Sequence, residues 1–245
     1  MTQEQIEKFQ QIKEDHSAFK IWEHLDNGCA IATMGYSEEN IPYLLTLLKS
    51  FDEQYGEENN YETAAAELAL YEKKGKLFTY LDENGTPVSM NGCTYNEEND
   101  SVEFFSSDGS TPSNLYFYGL STVPEYRGKG ACTKLIHYAI NFAKGNNYAK
   151  ANSFDYVYAR TDLINSNSEW LMAQAGMEVC KKDGYIIAEP VDVTKTQRDN
   201  RLHMWLPLRE GIGLMAKENA LFAEDTEERK IVTVDKPKVY QLNRK

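Results

Sequence analysis

The stretch with the residue types and spacing to do chemistry runs Leu120-Ser121-Thr122-Val123-Pro124-Glu125-Tyr126-Arg127-Gly128-Lys129-Gly130-Ala131-Cys132-Thr133-Lys134-Leu135. Apolar Leu115 to Thr122 before the glycines reads as a strand. Leu135, Ile136, Ala139, Ile140 and Ala143 after them recur at helical spacing, so the pattern predicts strand, glycine turn, helix. Glycines let successive backbone N–H groups converge with no Cβ in the way, and a helix N-terminus adds partial positive charge. Together they can cradle phosphate oxygens such as those of a diphosphate. The spacing is neither that of a P-loop nor that of a dinucleotide fingerprint.

The elements that must position this loop belong to a chain of 245 residues with 41% hydrophobic and 26% charged residues, a globular composition with core enough for one large domain or a domain with an appendage. A net charge of -12 is the wrong sign for a partner that is a nucleic acid or an anionic membrane, and it favours cations. Cys29, Cys93, Cys132 and Cys180 show no paired spacing and follow no apolar leader, which predicts reduced thiols in a cytoplasmic protein. The four histidines show no metal-ligand spacing, and no Gly-x-Ser-x-Gly elbow occurs.

Periodicity predicts a polar helix over 2–15, a buried strand at Cys29 to Met34, a helix around Ile41 to Phe51 with Pro42 in its first turn, and a second helix at Tyr61 to Tyr71 that Gly75 ends. A meander should follow: the hairpin of Leu77 to Leu81 and Val88 to Thr94, then Val102 to Phe105, then Leu115 to Thr122. Beyond the glycine loop and its helix come a strand at Asp155 to Ala159, a helix at Asn165 to Ala175 stopped by Gly176, and strands at Tyr185 to Ala188 and His203 to Leu208. A helix at Leu214 to Phe222 and a strand-like Ile231 to Val234 complete the chain. The expected division is an N-terminal helical arm at 1–28, a central domain at 29–208 and a C-terminal extension at 209–245 that completes the fold, covers a sheet edge or joins two subunits in a homodimer. The acidic run Asp52, Glu53, Glu57, Glu58 is open to two readings, a solvated turn or the wall of a pocket for a cation.

The loop resembles that of the GNAT superfamily of acyl-CoA-dependent N-acyltransferases, which reads Gln/Arg-x-x-Gly-x-Gly/Ala after a strand; Arg127, Gly130 and the strand pattern Leu120-x-Thr122-x-Pro124 fall on it. A later family pattern, Asn-x-x-Ala/Ser-x-x-Leu-Tyr-x-x-x-Gly-Phe, falls in register on Asn165, Ser168, Leu171, Met172, Gly176 and Met177. The resemblance spans about residues 29 to 208. It implies an α/β fold with a mixed, mostly antiparallel central sheet flanked by helices, splaying between the strand that ends at Thr122 and the strand at Asp155 to Ala159 so that the pantetheine of acetyl-CoA enters like an extra strand.

On this resemblance the co-substrate would be held by the backbone of Leu120, Ser121 and Thr122, by the loop Arg127, Gly128, Lys129, Gly130, by the helix start Ala131, Cys132, Thr133, and by Asn165. Gly119 would mark the bulge that opens the gap. Cys132, where the family usually has Gly or Ala, is open to two readings: a small spacer residue or, at a helix N-terminus beside Lys129 and Lys134, a stabilised thiolate whose alkylation acetyl-CoA blocks. The implied reaction is direct attack of a primary amine, a small cation or a lysine side chain, on the thioester. An amine with a pKa of about 10.4 needs roughly 4.6 kcal/mol to lose its proton at neutral pH. The family's usual base position is Tyr118 here and its usual thiolate-protonating Tyr is Met172, so Glu103 is the candidate base through water and Ser168 or Tyr158 the candidate acids. A catalytically idle acyl-CoA-binding regulatory module is the competing class; turnover with a panel of amines separates the two.

Overall fold

The computed structural model describes residues 19–56, 58–145, 153–164, 167–191 and 200–233. The expected helix at 2–15 and Asn165 lie outside the described residues. The chain divides into two compact units, 1–94 with 118–139, and 95–117 with 140–245.

In the first unit the strands β1 (Phe19–His24), β2 (Ala30–Met34), β3 (Gly75–Leu81) and β4 (Pro87–Tyr95) lie side by side in chain order, β1, β2, β3 and β4 antiparallel, and the end of β6 (Asn114–Thr122) is next to β4. Strand β5 (Val102–Ser106) belongs to the second unit. Helices α1 (Ile41–Tyr55) and α2 (Tyr61–Lys74) start for legible reasons: Pro42 fills the first turn of α1, and Asn60 and Thr63 form a reciprocal capping box on α2. Their apolar faces, including Leu44, Leu47, Leu48, Leu68 and Tyr71, meet Ala32, Met34, Leu77 and Met90 in one cluster. Truncating a side chain such as Leu44 to Ala there costs about 2–5 kcal/mol. On the other face of the sheet, Phe78 meets Tyr138 of helix α3 (Ala131–Ala143) edge to face, with ring centroids 5.7 Å apart.

The second unit contains the start of β6 and the strands β7 (Tyr156–Asp162), β8 (Glu178–Val179), β9 (Lys181–Lys182), β10 (Tyr185–Glu189), β11 (Arg201–Pro207), β12 (Ile212–Ala216), β13 (Leu221–Ala223) and β14 (Ile231–Val232), with helix α4 (Asn167–Gln174). Its sheet runs β6-β7-β11-β10-β13-β14, with β8 on β11 and β9 on β10. The β6–β7 pair is parallel, Asn114 to Phe117 against Tyr156 to Ala159, because the chain between them crosses over through α3. The other pairings in this unit are antiparallel. A separate ribbon, β5 on β12, packs Phe104 onto Tyr156 with centroids 4.2 Å apart and adds Val102, Ile212 and Leu214 to a core with Tyr158 and Trp205.

Three expectations are corrected. Phe19–His24 is a strand, so the sheet begins ahead of residue 29. The meander skips β5, whose partner is β12, more than a hundred residues later, and β4 has β6 beside it instead. The helix expected at Leu214 to Phe222 is two strands: Ile212 and Leu214 alternate across Gly213, where an added Cβ would stand 2.5 Å from the Phe105 ring, so only a bare backbone lets that ring lie flat. The strand expected near Ile231 is β14. Strands β12 and β13 pair with β5 and β10, so the segment after residue 208 completes the second unit.

Gly92 of β4 gives a test of packing in the first unit, because a Cβ there would stand 2.1 Å from the buried Tyr71 hydroxyl. Gly92→Ala should destabilise by about 1–3 kcal/mol in thermal or urea unfolding. In a Tyr71→Leu background the same change should cost little, so the double mutant should lose less stability than the sum of the two single changes in a double-mutant cycle.

Candidate functional site

Strand β6 loses its regular alternation where the candidate chemistry begins. Ser121 is buried and its hydroxyl donates to the Leu47 carbonyl of α1 at 2.7 Å. A strict period of two would send Tyr118 to the opposite face, yet the Tyr118 ring meets the Tyr71 ring of α2 at 6.2 Å. The Cβ direction of Gly119 also points at the Tyr71 hydroxyl, 3.4 Å away. Neighbouring residues 118 and 119 thus face the same layer, the signature of a β-bulge and the position at which Gly119 is expected to mark one.

Past the bulge, Val123 N–H donates to the Val88 carbonyl at 3.0 Å, which turns the Ser121 main chain towards β4 and the N–H groups of Leu120 and Thr122 towards the other edge of β6. Ser89 holds this end: its Oγ donates to the Ser121 carbonyl at 2.9 Å and lies 2.8 Å from Thr122 Oγ1. The Thr122 carbonyl accepts from Arg127 Nε at 3.2 Å.

The loop itself is built around Asp82, a residue the sequence reading passed over. One carboxylate oxygen accepts from the N–H groups of Asn84 and Thr86 at 2.9 and 2.8 Å and so closes the β3–β4 turn. The other accepts from the Tyr126 hydroxyl at 2.8 Å. That hydrogen bond to a carboxylate pushes the Tyr126 pKa up to about 12, keeping the hydroxyl protonated as donor. Lys129 Nζ lies over the Tyr126 ring at 4.6 Å. An Asp three residues before Gly in a hairpin is an ordinary turn signal, which is why the sequence did not connect it with the loop.

Gly128 and Gly130 take φ of 74° and 81°, the left-handed region that favours glycine, and a Cβ at either would meet nothing within 4 Å. The demand there is conformation, not space. The first helical bond of α3 is Lys134 N–H to the Gly130 carbonyl at 3.1 Å. Gly130 has no side chain with which to cap, and among the described residues no acceptor meets the N–H groups of Gly130, Ala131 and Cys132. Loop glycines and helix start therefore present unpaired donors on a surface where Gly128, Lys129 and Gly130 are exposed.

The structure brings together Tyr118, Leu120, Ser121, Thr122, Arg127, Gly128, Lys129, Gly130, Ala131, Cys132 and Thr133 in the first unit. Glu103 is exposed on β5, opposite Met215 of β12, and Ser168 lies on α4, both in the second unit. Met172 is a buried core residue of α4. Tyr158 is buried with its hydroxyl on His203 Nδ1 at 2.5 Å. In the acidic run, Asp52 Oδ1 accepts from the Asn59 main chain at 3.2 Å and from its side chain at 2.7 Å, tying the α1–α2 turn.

The expectation of a thiolate at Cys132 is corrected. Burial pushes this thiol up to about 12, and a hydrogen bond with Thr122 only partly opposes it. A helix N-terminus contributes roughly 0.3–1 kcal/mol, less than one pKa unit, so burial wins. Iodoacetamide at neutral pH should therefore modify Cys132 far more slowly than a free cysteine, with labelling rising only in strong alkali, as peptide mapping by mass spectrometry would show.

No curated protein sequence matches the chain. Among solved structures, the NatC complex bound to Gag peptide and CoA contains a chain 16% identical to this one, with 74% of this chain and 99% of that chain covered and a TM-score of 0.53. An acetyltransferase (GNAT family) from Bacillus anthracis is 12% identical over 78% of this chain and 100% of that chain, with a TM-score of 0.53. The spermidine N-acetyltransferase SpeG chimera from Vibrio cholerae and hSSAT is 14% identical over 73% and 95%, with a TM-score of 0.51. Residues 41–162 match the acetyltransferase (GNAT) family profile, and this segment covers α1 through β7, including the bulge, the glycine loop and the start of α3. The α/β architecture is shared with these structures, and the chain belongs to the GNAT acetyltransferase family.

Proposed function

We propose that the protein is an N-acetyltransferase that moves the acetyl group of acetyl-CoA to a primary amine by direct attack in a ternary complex. The observation that carries this reading is the set of unpaired N–H groups at Gly130, Ala131 and Cys132, opened by glycines in left-handed conformation at the start of α3. Such donors fit the phosphates of a CoA, and Lys129 adds a neighbouring cation. The fold is shared with proteins solved with CoA bound.

Acetyl-CoA supplies an activated acyl thioester. The N–H groups of Leu120 and Thr122, on the edge of β6 turned away from β4, would pair with the pantetheine amides. One N–H at the bulge would meet the thioester oxygen, a kind of donor typically worth about 3–4 kcal/mol when charge builds on that oxygen. Asp82, through Tyr126, holds the loop in place from behind. A cationic acceptor suits the net charge of -12. Since Asp52 is engaged in closing the α1–α2 turn, that attraction is ascribed to the overall field rather than to an acidic wall built at Asp52.

Isothermal titration calorimetry should show acetyl-CoA binding, and release of CoA thiol should follow when spermidine, an aminoglycoside, a lysine peptide and a peptide with a free amino terminus are supplied in turn. Gly130→Val, a β-branched residue forced to positive φ, should weaken acetyl-CoA binding at least tenfold. Asp82→Ala, which frees Tyr126, should weaken it severalfold while thermal unfolding stays cooperative. Tight binding without thiol release from any amine would favour the regulatory module, and no binding would end both readings.

A further inference from the structure

The reading above leaves the reaction without a base, because Tyr118 occupies the position where the family's carboxylate is expected and a neutral phenol cannot take a proton from an ammonium. The first unit nevertheless places a carboxylate at the bulge by another route. Tyr71 of α2 is 1% exposed, and its hydroxyl reaches the sheet exactly where two strands lack a side chain: a Cβ at Gly92 of β4 would stand 2.1 Å from that hydroxyl and one at Gly119 of β6 would stand 3.4 Å from it. A polar atom so deep in the layer must have a partner. It donates to Glu67 Oε2 at 3.4 Å, one helical turn earlier on α2. Glu67 is half-buried, and the Tyr71 hydroxyl from which its carboxylate accepts lies on the side of β6 towards which a Gly119 side chain would point. The titratable groups around this hydroxyl are Glu67 on α2, Tyr118 on β6 and Cys93 on β4. Burial, and then the Glu67 charge, keep the Tyr71 phenol protonated and hence a donor.

We propose that Glu67 is the base that receives the acceptor's proton at the β6 bulge and that Tyr71 is the positioning residue that aims it, an inference that rests on the acetyltransferase reading. An ammonium arriving beside Tyr118 gives one proton to the Glu67 carboxylate, which passes it to solvent. The freed nitrogen lone pair forms the C–N bond to the thioester carbon, the C–S bond breaks, and the second proton lost by nitrogen goes to the departing thiolate. Two protons leave the ammonium, one to solvent and one to sulfur, and the amide keeps the third.

The test compares Glu67→Gln, Tyr71→Phe and, as a control on the outer face of the same helix, the exposed Glu72→Gln, using whichever amine of the panel the wild-type protein acetylates. Glu67→Gln should lower kcat about 100- to 10,000-fold at neutral pH while calorimetry shows acetyl-CoA affinity unchanged. Its log rate should climb with pH towards the pKa of the amine, and an acceptor that is already neutral at pH 7 should recover most of the lost rate. Tyr71→Phe should give a smaller loss in kcat with the same direction of pH change, and Glu72→Gln should match wild type. A Glu67→Gln protein that binds acetyl-CoA and keeps its rate would overturn this inference alone. So would an equal loss at every pH and with every acceptor, or loss of acetyl-CoA affinity, since these mark a structural role. Failure of the wild-type protein to bind acetyl-CoA or to acetylate any amine would instead remove the underlying reading and this inference with it.

Discussion

An α-helix starts with N–H groups that nothing inside it can satisfy, and among the described residues nothing outside α3 meets those of Ala131 and Cys132. A serine, threonine or aspartate at the cap would have closed one of them at a gain of about 1 kcal/mol. Gly130 stands there instead, forgoing that stabilisation, and Gly128 and Gly130 both adopt the left-handed backbone that favours glycine. The rest of the first unit can be understood as the support such an uncapped start needs. Asp82 locks the β3–β4 turn with one oxygen and Tyr126 with the other. Ser89 and Arg127 fasten the two sides of Thr122. Ser121 gives its hydroxyl to α1, and the Ser50 hydroxyl joins it there.

The same unit shows how a polar group enters a packed layer without loss. Tyr71 is as buried as the leucines around it, yet its hydroxyl sits between two strands relieved of side chains and finds a carboxylate on its own helix. In the second unit a comparable economy holds among charges. Arg160 donates through Nε to the Tyr116 hydroxyl at 2.7 Å and through its terminal nitrogen to both oxygens of Glu189 at 3.3 Å. Its pKa stays raised although burial opposes it, because Tyr116, Glu189 and Tyr158 around the guanidinium together outweigh burial. The adjacent His203 is driven the other way, down to about 3, by burial and then by Arg160 and Arg201, so it is a neutral ring at physiological pH. Glu169 of α4 takes Arg229 in a two-pronged pair at 2.5 and 2.6 Å, tying the helix to the segment that follows β13.

Much of the fold was legible because its signals are local. The helical spacing of Ile41, Leu44, Leu48 and Phe51, the Asn-Gly turn between β3 and β4, and the glycines that end α2 and α4 each act over one or two turns of chain, and each element appears where its pattern lies. The glycine loop was legible for the same reason. Its left-handed glycines follow from residue types within about ten positions, and the family profile over residues 41–162 spans it. Where the readings failed, the deciding partner was remote. Phe19–His24 is a strand because Ala30–Met34 offers it an edge. Leu214 is in a strand because β5, about a hundred residues earlier, needs a partner. Cys132 looked activated from its lysine neighbours, but burial set its pKa, and burial is not a property of neighbouring letters.

The amino-acid sequence by itself determined the class of the protein, the order of its main elements and the position of the glycine loop, since periodicity, capping and glycine placement are short-range physics written residue by residue. Only the tertiary structure decided which carboxylates serve which purpose. Asp82 supports the loop, Asp52 closes a turn, Glu103 lies exposed on the β5–β12 ribbon, and Glu67 reaches the bulge through Tyr71. Their chemical type is the same in all four cases; what differs is the hydrogen-bond partner and the layer each one faces, and both are set by contacts that close only when the sheet and its helices assemble.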